Sequence, residues 1–251
     1  MSKVWFITGS SRGLGLAIAE VALESGACVI ATARKPEHLD GLVQKYGLER
    51  VLPLALDVTS YEQVTRAVKS GHEKFGRIDY VVNNAGYANT ASVEDMEIDD
   101  FRAQVDANLF GVVYITKAVL PILRAQNCGH IFQISSLGGR VGSPGLSAYQ
   151  CSKWAPGGIR TDWAGSSMKV PPISEPYQPT VGAFMEYLRQ ANGTEPSLPS
   201  KIAQIILKLT IEPDPPLRLL IGPDAVGYAA KVAEALTASD AKWRELSISS
   251  A

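Results

Sequence analysis

Residues 4–26 read VWFIT-GSSRGLG-LAIAEVALESG, and this stretch decides the fold. Its first five residues are short, apolar and β-branched, as a strand buried on both faces must be. Gly9, Gly13 and Gly15 follow at once in a G-x-x-x-G-x-G spacing, and residues 16–25 are good helix material closed by Gly26. Strand, glycine turn and helix together make a phosphate cradle. Glycines let the backbone approach a pyrophosphate, while the helix N-terminus supplies amide donors and a favourable dipole. The spacing is not the G-x-G-x-x-G of the commonest dinucleotide fingerprint, and glycines that merely turn a βα corner would read the same way.

A second strand, residues 27–33, ends at Arg34, about twenty residues beyond the glycines. An acidic residue at that point would hold the ribose 2′-hydroxyl of NAD, whereas an arginine suits the 2′-phosphate of NADP. Arg12, inside the glycine turn, adds positive charge near the same spot. Either arginine alone could be a surface charge; their joint placement leans toward NADP.

Residues 136–153, SLGGRVGSPGLSAYQCSK, carry the chemistry. Tyr149 and Lys153 stand four residues apart, which on a helix stacks them on one face. A phenol with a pKa of about 10 is a poor acid-base group at neutral pH. A lysine ammonium beside it favours the phenolate, giving a group able to protonate a carbonyl oxygen or deprotonate an alcohol. Ser136 sits just past an apolar run, residues 131–134, where a strand should end, so its hydroxyl could hold the same substrate oxygen. A tyrosine and a lysine at this spacing are more often a solvated helix face. The context of the chain decides otherwise.

Thr8-Gly9-(x3)-Gly13-x-Gly15, Asn83-Asn84-Ala85-Gly86, Asn108, Ser136 and Tyr149-x-x-x-Lys153 together resemble the short-chain dehydrogenase/reductases, in order and at family spacing. The resemblance runs from Met1 to about Ala155 and resumes at Pro156. It implies one Rossmann-type α/β domain over residues 1–251, doubly wound on a mostly parallel sheet. It also implies an oxidoreductase moving a hydride between NADP(H) and an alcohol or ketone. Residues 31–34 look like the NADP-preferring type, and the overall wording is similar to members acting on lipophilic steroids or retinoids. Carried over residue by residue, the catalytic group is Asn108, Ser136, Tyr149 and Lys153, with Asn108 tying a water chain to the lysine. The cofactor would meet Gly9, Ser11, Arg12, Gly13, Leu14, Gly15, Arg34, Asp57, Val58, Asn84, Ala85 and Gly86, besides Tyr149 and Lys153. Ile159 and Thr161 would face the nicotinamide amide. No metal is implied, and a homo-oligomer is.

Along the chain, strands and helices alternate as this fold requires. Helices are expected over 36–46, 61–75, 100–126, 178–190, 200–210 and 226–246, and strands over 51–56, 78–82, 131–135 and 217–221. Asp57, at a strand's carboxyl end, could reach an adenine or simply make a turn. An asparagine inside a helix is unfavourable, so Asn108 is either exposed or held by a polar partner. In the 178–190 helix, Val181, Phe184, Met185 and Leu188 form one apolar face. Residues 163–199 read as a lid over the substrate.

One segment departs from the family pattern. The helix opening near Ser147 meets Pro156-Gly157-Gly158 within two turns, and proline then glycine ends it. Ten of the 15 prolines fall between Pro156 and Pro216, and no strand candidate lies between Ser135 and Leu217. From typical element lengths, about twenty to twenty-five residues are missing between Ala155 and Pro156: most of a crossover helix and the sixth strand. In the family that helix forms much of the subunit interface, so the implied oligomer is in doubt here. Two readings remain, a truncated product of an active enzyme and a folded variant whose last strand moves inward; the first is preferred.

Composition narrows the classes. With 46% hydrophobic and 20% charged residues, 251 residues suit one soluble domain. A net charge of −1 argues against nucleic acid as a partner. Cys28, Cys128 and Cys151 are dispersed, which suits a reduced, cytoplasmic setting without a metal site. No signal peptide is recognisable, and the longest apolar stretch, residues 112–123, is too short to span a membrane. Gly9-Ser10-Ser11-Arg12-Gly13 also matches a hydrolase nucleophile elbow, but no histidine follows at a useful place. A nucleotide-binding relative without turnover is the nearer alternative.

Overall fold

The computed structural model describes residues 2–139, 142–153, 161, 168 and 170–249. Five strands pair in parallel: β1 (Val4–Ile7), β2 (Cys28–Ala33), β3 (Val51–Ala55), β4 (Tyr80–Asn83) and β5 (His130–Gln133). Their order is β3-β2-β1-β4-β5. The chain therefore reverses direction across the sheet beside β1, and the crevice beyond the ends of β1 and β4 is the topological switch point where such sheets bind ligands.

Helices cover both faces, as the doubly wound expectation requires. On one side α1 (Gly13–Glu24), α2 (Asp40–Tyr46) and α8 (Pro199–Leu209) bury Ile18, Leu42, Ile202 and Ile206 against Trp5, Ile7 and Val82. On the other, α3 (Tyr61–Phe75) and α5 (Gly111–Gln126) set Val64, Val68, Ile115 and Val119 against Phe6, Ile30 and Val81. The strands are apolar on both faces because both are covered. Ser60 caps α3, its Oγ accepting from the Gln63 amide at 3.3 Å, and Gly76 closes the helix in the left-handed region.

The single helix expected over 100–126 is three pieces in line. These are α4 (Ile98–Val105), a π turn (Asp106–Phe110) and α5. The continuous stretch Ile98–Gln126 is long and apolar enough to cross a bilayer, which the 112–123 run alone did not suggest. Ile115, Val119 and Leu123 are instead buried on the sheet, as in a core helix.

The expected last strand, residues 217–221, is not formed. Among the described residues the sheet ends at β5, and residues 217–221 pair with neither of its edge strands. Leu217 is 96% exposed in consequence. The segment does not take the inward position of the folded-variant reading. The helix near Ser147 is short as expected: α6 spans Ser147–Cys151. The expected break between Ala155 and Pro156 lies outside the described residues. Further on, α7 (Ala183–Ala191), preceded by a π turn (Gln178–Gly182), buries Val181 and Met185 from the anticipated face. The final helix, α9 (Pro223–Ile248), leaves Val226, Tyr228, Leu236 and Trp243 exposed.

Candidate active site

The glycine corner closes around bare backbone. Gly9 and Gly13 have φ of +69° and +57°, a region that L side chains avoid, and a Cβ at Gly15 would overlap the Gly9 carbonyl and Asn84 Nδ2. Thr8 ties this corner to the N-N-A-G turn, its Oγ1 accepting from the amides of Asn84 and Ala85, both at 2.9 Å. Asn84 Nδ2 returns bonds to the carbonyls of Thr8 and Gly9, at 2.9 and 3.1 Å. The N-cap residue Arg12 makes no side-chain capping bond to α1, whose start is the kind of helix end that binds anions. Leu14 is buried beneath the corner and Ser11 half-buried on it. Thr161 reaches the same place: its Cγ2 lies 3.4 Å from where a Gly13 Cβ would stand. Arg12 and Arg34 are both exposed beside it.

Asp57 and Val58 sit at the carboxyl end of β3. Asp57 Oδ1 accepts from the Thr59 amide and hydroxyl at 3.0 and 2.8 Å, which is the turn role its position also allowed. Val58 packs on Gly111, where a Cβ would come within 2.8 Å of Val58 Cγ2. Ile159 lies outside the described residues.

Across the crevice the structure brings Asn108, Ser136, Tyr149 and Lys153 together. Asn108 is buried in the π turn and held at both amide atoms. Oδ1 accepts from the Tyr87 amide at 3.0 Å; Nδ2 donates to the Tyr87 carbonyl at 2.8 Å and to Ser152 Oγ at 3.2 Å. Ser152 in turn donates to the Tyr149 carbonyl at 2.9 Å, so Asn108 is fastened to α6 itself. Ser152 and Tyr87 carry no motif signal, and sequence reasoning missed both.

Ser136 and Tyr149 are hydrogen-bonded through their side chains. Burial pushes the Tyr149 phenol up, and the Ser136 bond pulls it back down in part. Lys153 lies behind the phenol, Nζ 6.0 Å from the ring centroid and 3.1 Å from the Ile134 carbonyl to which it donates. Burial without a carboxylate partner lowers its pKa to about 8. Gly86 closes the group: a Cβ there would stand 2.7 Å from Asn108 Oδ1 and 3.0 Å from Lys153 Nζ. Only a glycine leaves that opening between the lysine and the turn.

Beside loop 87–92 lies a cavity of about 230 Å³, lined by Asn89, Met96 and Pro171 among others. Asp95, Glu97 and Asp100 give its rim three carboxylates. The loop is held from behind by Gln104, fully buried on α4, whose Oε1 accepts from the Asn89 amide at 2.6 Å. Among the described residues no group of histidines, cysteines and carboxylates could hold a metal.

Comparison with known proteins bears on the family and the fold. The family described as short chain dehydrogenase matches residues 3–166. Oxidoreductase BOA17 of Botryotinia fuckeliana is 67% identical over 274 aligned positions, covering 100% of each chain. That alignment is longer than the 251 residues here, so it must open gaps in this chain totalling at least the difference. A short-chain dehydrogenase from Streptomyces avermitilis superposes with a TM-score of 0.92 at 30% identity, over 100% of this chain and 98% of the other. A Burkholderia phymatum relative solved with NAD superposes at 0.81 and 21% identity, over 97% and 95%.

Proposed function

The chain belongs to the short-chain dehydrogenase family, and we propose that within it the chain is an NADP-dependent oxidoreductase of an alcohol/ketone pair. One observation carries the reading: the buried Ser136–Tyr149 hydrogen bond with Lys153 behind the phenol. The residues fit a nicotinamide dinucleotide. Glycines 9, 13 and 15 leave no side chain over the uncapped start of α1, and Gly86 opens the way to Lys153. When bound, the nicotinamide supplies or accepts the hydride.

Everything else falls to side chains of this chain. Ser136 Oγ orients the substrate oxygen and steadies the phenol. Tyr149 Oη gives its proton to that oxygen in reduction and takes it back in oxidation. Lys153, charged below about pH 8, stabilises the phenolate that remains and offers its remaining donors to ribose hydroxyls. Asn108 fixes the turn and helix that carry these groups, while Asn84, Ala85 and Gly86 form the ribose wall. Arg34 and Arg12 meet the 2′-phosphate; Thr161, expected at the nicotinamide amide, lies beside Gly13 in the glycine corner. The Burkholderia neighbour carries NAD and another neighbour of the same fold, ElxO, carries NADP, so in this reading the two arginines carry the preference.

A second reading rests on α6. At five residues it carries Tyr149 but ends two residues before Lys153, unlike the expected helix bearing both, which favours a protein that binds nucleotide and turns over slowly. Following NADPH oxidation with a panel of uncharged ketones, alongside NADPH binding by fluorescence, separates the two. Turnover lost in Tyr149→Phe supports the enzyme. Binding without turnover in the parent chain supports the second reading, and neither one overturns both.

A further inference from the structure

Loop 87–95 faces two ways. Toward the catalytic group it is tied at Tyr87 by Asn108 and at Asn89 by Gln104. On its other side it holds residues 170–182, which carry no catalytic group, through attachments of two kinds. One is apolar and buried: a Cβ on Gly145 would stand 2.8 Å from both Thr90 Cγ2 and Val181 Cγ1, so the loop, the approach to α6 and the π turn at Gln178–Gly182 converge there. Val181 and Met185, each 3% exposed, peg the segment at that end. The other attachment is polar and lies at the surface. Asp95 Oδ2 accepts from the Ser174 amide and hydroxyl, both at 3.2 Å, and Tyr177 Oη donates to Glu94 Oε2 at 2.9 Å. The cavity of about 230 Å³ takes its walls from both partners, Ala91 and Met96 on one side and Pro171 and Pro172 on the other.

We infer that Glu94 and Asp95 are positioning residues that clasp residues 170–177 closed over the cavity, with Val181 as the hinge on which that segment opens. The two attachments differ in how easily they break. A buried apolar peg cannot be replaced by water, whereas surface hydrogen bonds exchange with water and contribute little net stability each. Local opening therefore starts at the clasp and stops at the peg. The Ser92 hydroxyl and the two Ser174 donors hold the Asp95 carboxyl below the usual carboxylate range, so at neutral pH it accepts as an anion and makes the firmer half of the clasp. A segment that closes on substrate stores part of the binding free energy in such contacts. The inference rests on the alcohol/ketone reading above and adds to it residues outside the Ser136–Tyr149–Lys153 group.

The test is the split between KM and kcat for an uncharged ketone, measured on the full chain at saturating NADPH. Ser174 has φ of −65°, the value proline enforces, so Ser174→Pro removes both donors to Asp95 without bending the backbone and should melt no lower than the parent. It should raise the ketone KM by about tenfold, and Tyr177→Phe by about threefold, with kcat within about twofold and NADPH affinity unchanged. Glu94→Ala should match Tyr177→Phe, whereas Glu94→Gln keeps an acceptor and should keep the parent KM. A merely structural role would lower the melting temperature and leave KM unchanged, and that result overturns the inference. If Ser174→Pro is insoluble, Tyr177→Phe decides by the same criterion. A parent protein that turns over no ketone overturns the oxidoreductase reading and the clasp together; a parent that turns over, with variants of unchanged KM, overturns the clasp alone.

Discussion

Asn108 holds Tyr87 by both main-chain groups, accepting from its amide at 3.0 Å and donating to its carbonyl at 2.8 Å. The side chain imitates a strand neighbour for a loop that has none. This is why an asparagine is tolerated inside a long helix, at the point where that helix passes through a π turn. Asn108→Ala strips both bonds and the link to Ser152, so urea unfolding should show a loss of about 1–3 kcal/mol. Asn108→Asp keeps the acceptor and should lose less. Equal stability of the alanine variant and the parent would show that the loop is held elsewhere.

Tyr149→Phe removes only the proton donor. Hydride transfer should fall by three orders of magnitude or so, on the order of a general acid's whole contribution, while NADPH affinity changes little. Steady-state rates paired with binding titrations check this, and a phenylalanine variant with unchanged turnover would remove the catalytic assignment.

Lys153 sets a pH dependence whose sign can be worked out. Its folded pKa, about 8, lies below the unfolded value, so the unfolded chain holds more protons between about pH 8 and 10.5. The burial penalty is therefore complete below pH 8 and is relieved as pH rises. Melting temperature of the unliganded protein should climb from pH 7 to pH 9.5. Above about pH 10 the raised phenol of Tyr149 works the other way, because the unfolded chain loses that proton first. Lys153→Met should flatten the rise, melt higher at pH 7 and be inactive. A parent protein whose melting temperature falls between pH 7 and 9.5 would show that Lys153 is not a buried cation.

The five sheet strands were legible as short apolar runs, three of them closed by a glycine, aspartate or asparagine turn. The glycine corner and the tyrosine–lysine pair were legible because their chemistry requires fixed spacings. Residues 217–221 read as a strand on the same local grounds and are not one, since pairing depends on a neighbour that the local sequence cannot report. Ser152 and Gln104 were invisible for a related reason: each matters through a partner many residues away, the Asn108 side chain and the Asn89 amide. Asp57 stayed ambiguous in the sequence, and its bonds to Thr59 give it a structural role within the turn.

Arg34 and Arg12 carry the cofactor preference in this reading. Each charge-assisted contact to a 2′-phosphate should be worth roughly 1.5–3 kcal/mol before solvent screening, and both side chains are exposed enough to be screened. Arg34→Asp should therefore move preference toward NADH by tenfold or more at low salt and by less at high salt. Titration with both nucleotides at two ionic strengths measures it. A preference for NADPH that survives the substitution would place the 2′-phosphate contact elsewhere.

The last prediction concerns the segment expected between Ala155 and Pro156. Three observations bear on it: α6 is five residues long, β5 ends the sheet with only partial burial, and the Botryotinia alignment is longer than this chain. An edge strand that family members cover with a sixth would leave ladder groups open to other chains. Inserting the helix and strand of an intact relative at that point should lengthen α6, cover β5 and give 217–221 a neighbour to pair with. Melting temperature should rise by ten degrees or so, since ~1 kcal/mol corresponds to about 2–4 °C in a domain of this size. NADPH-dependent ketone reduction should rise with it, and light scattering should show less association. The decisive comparison is the 251-residue chain beside the restored one under identical conditions. A 251-residue form that melts cooperatively, stays dispersed and reduces ketones as fast would show that five strands and a five-residue helix suffice to hold Tyr149 and Lys153.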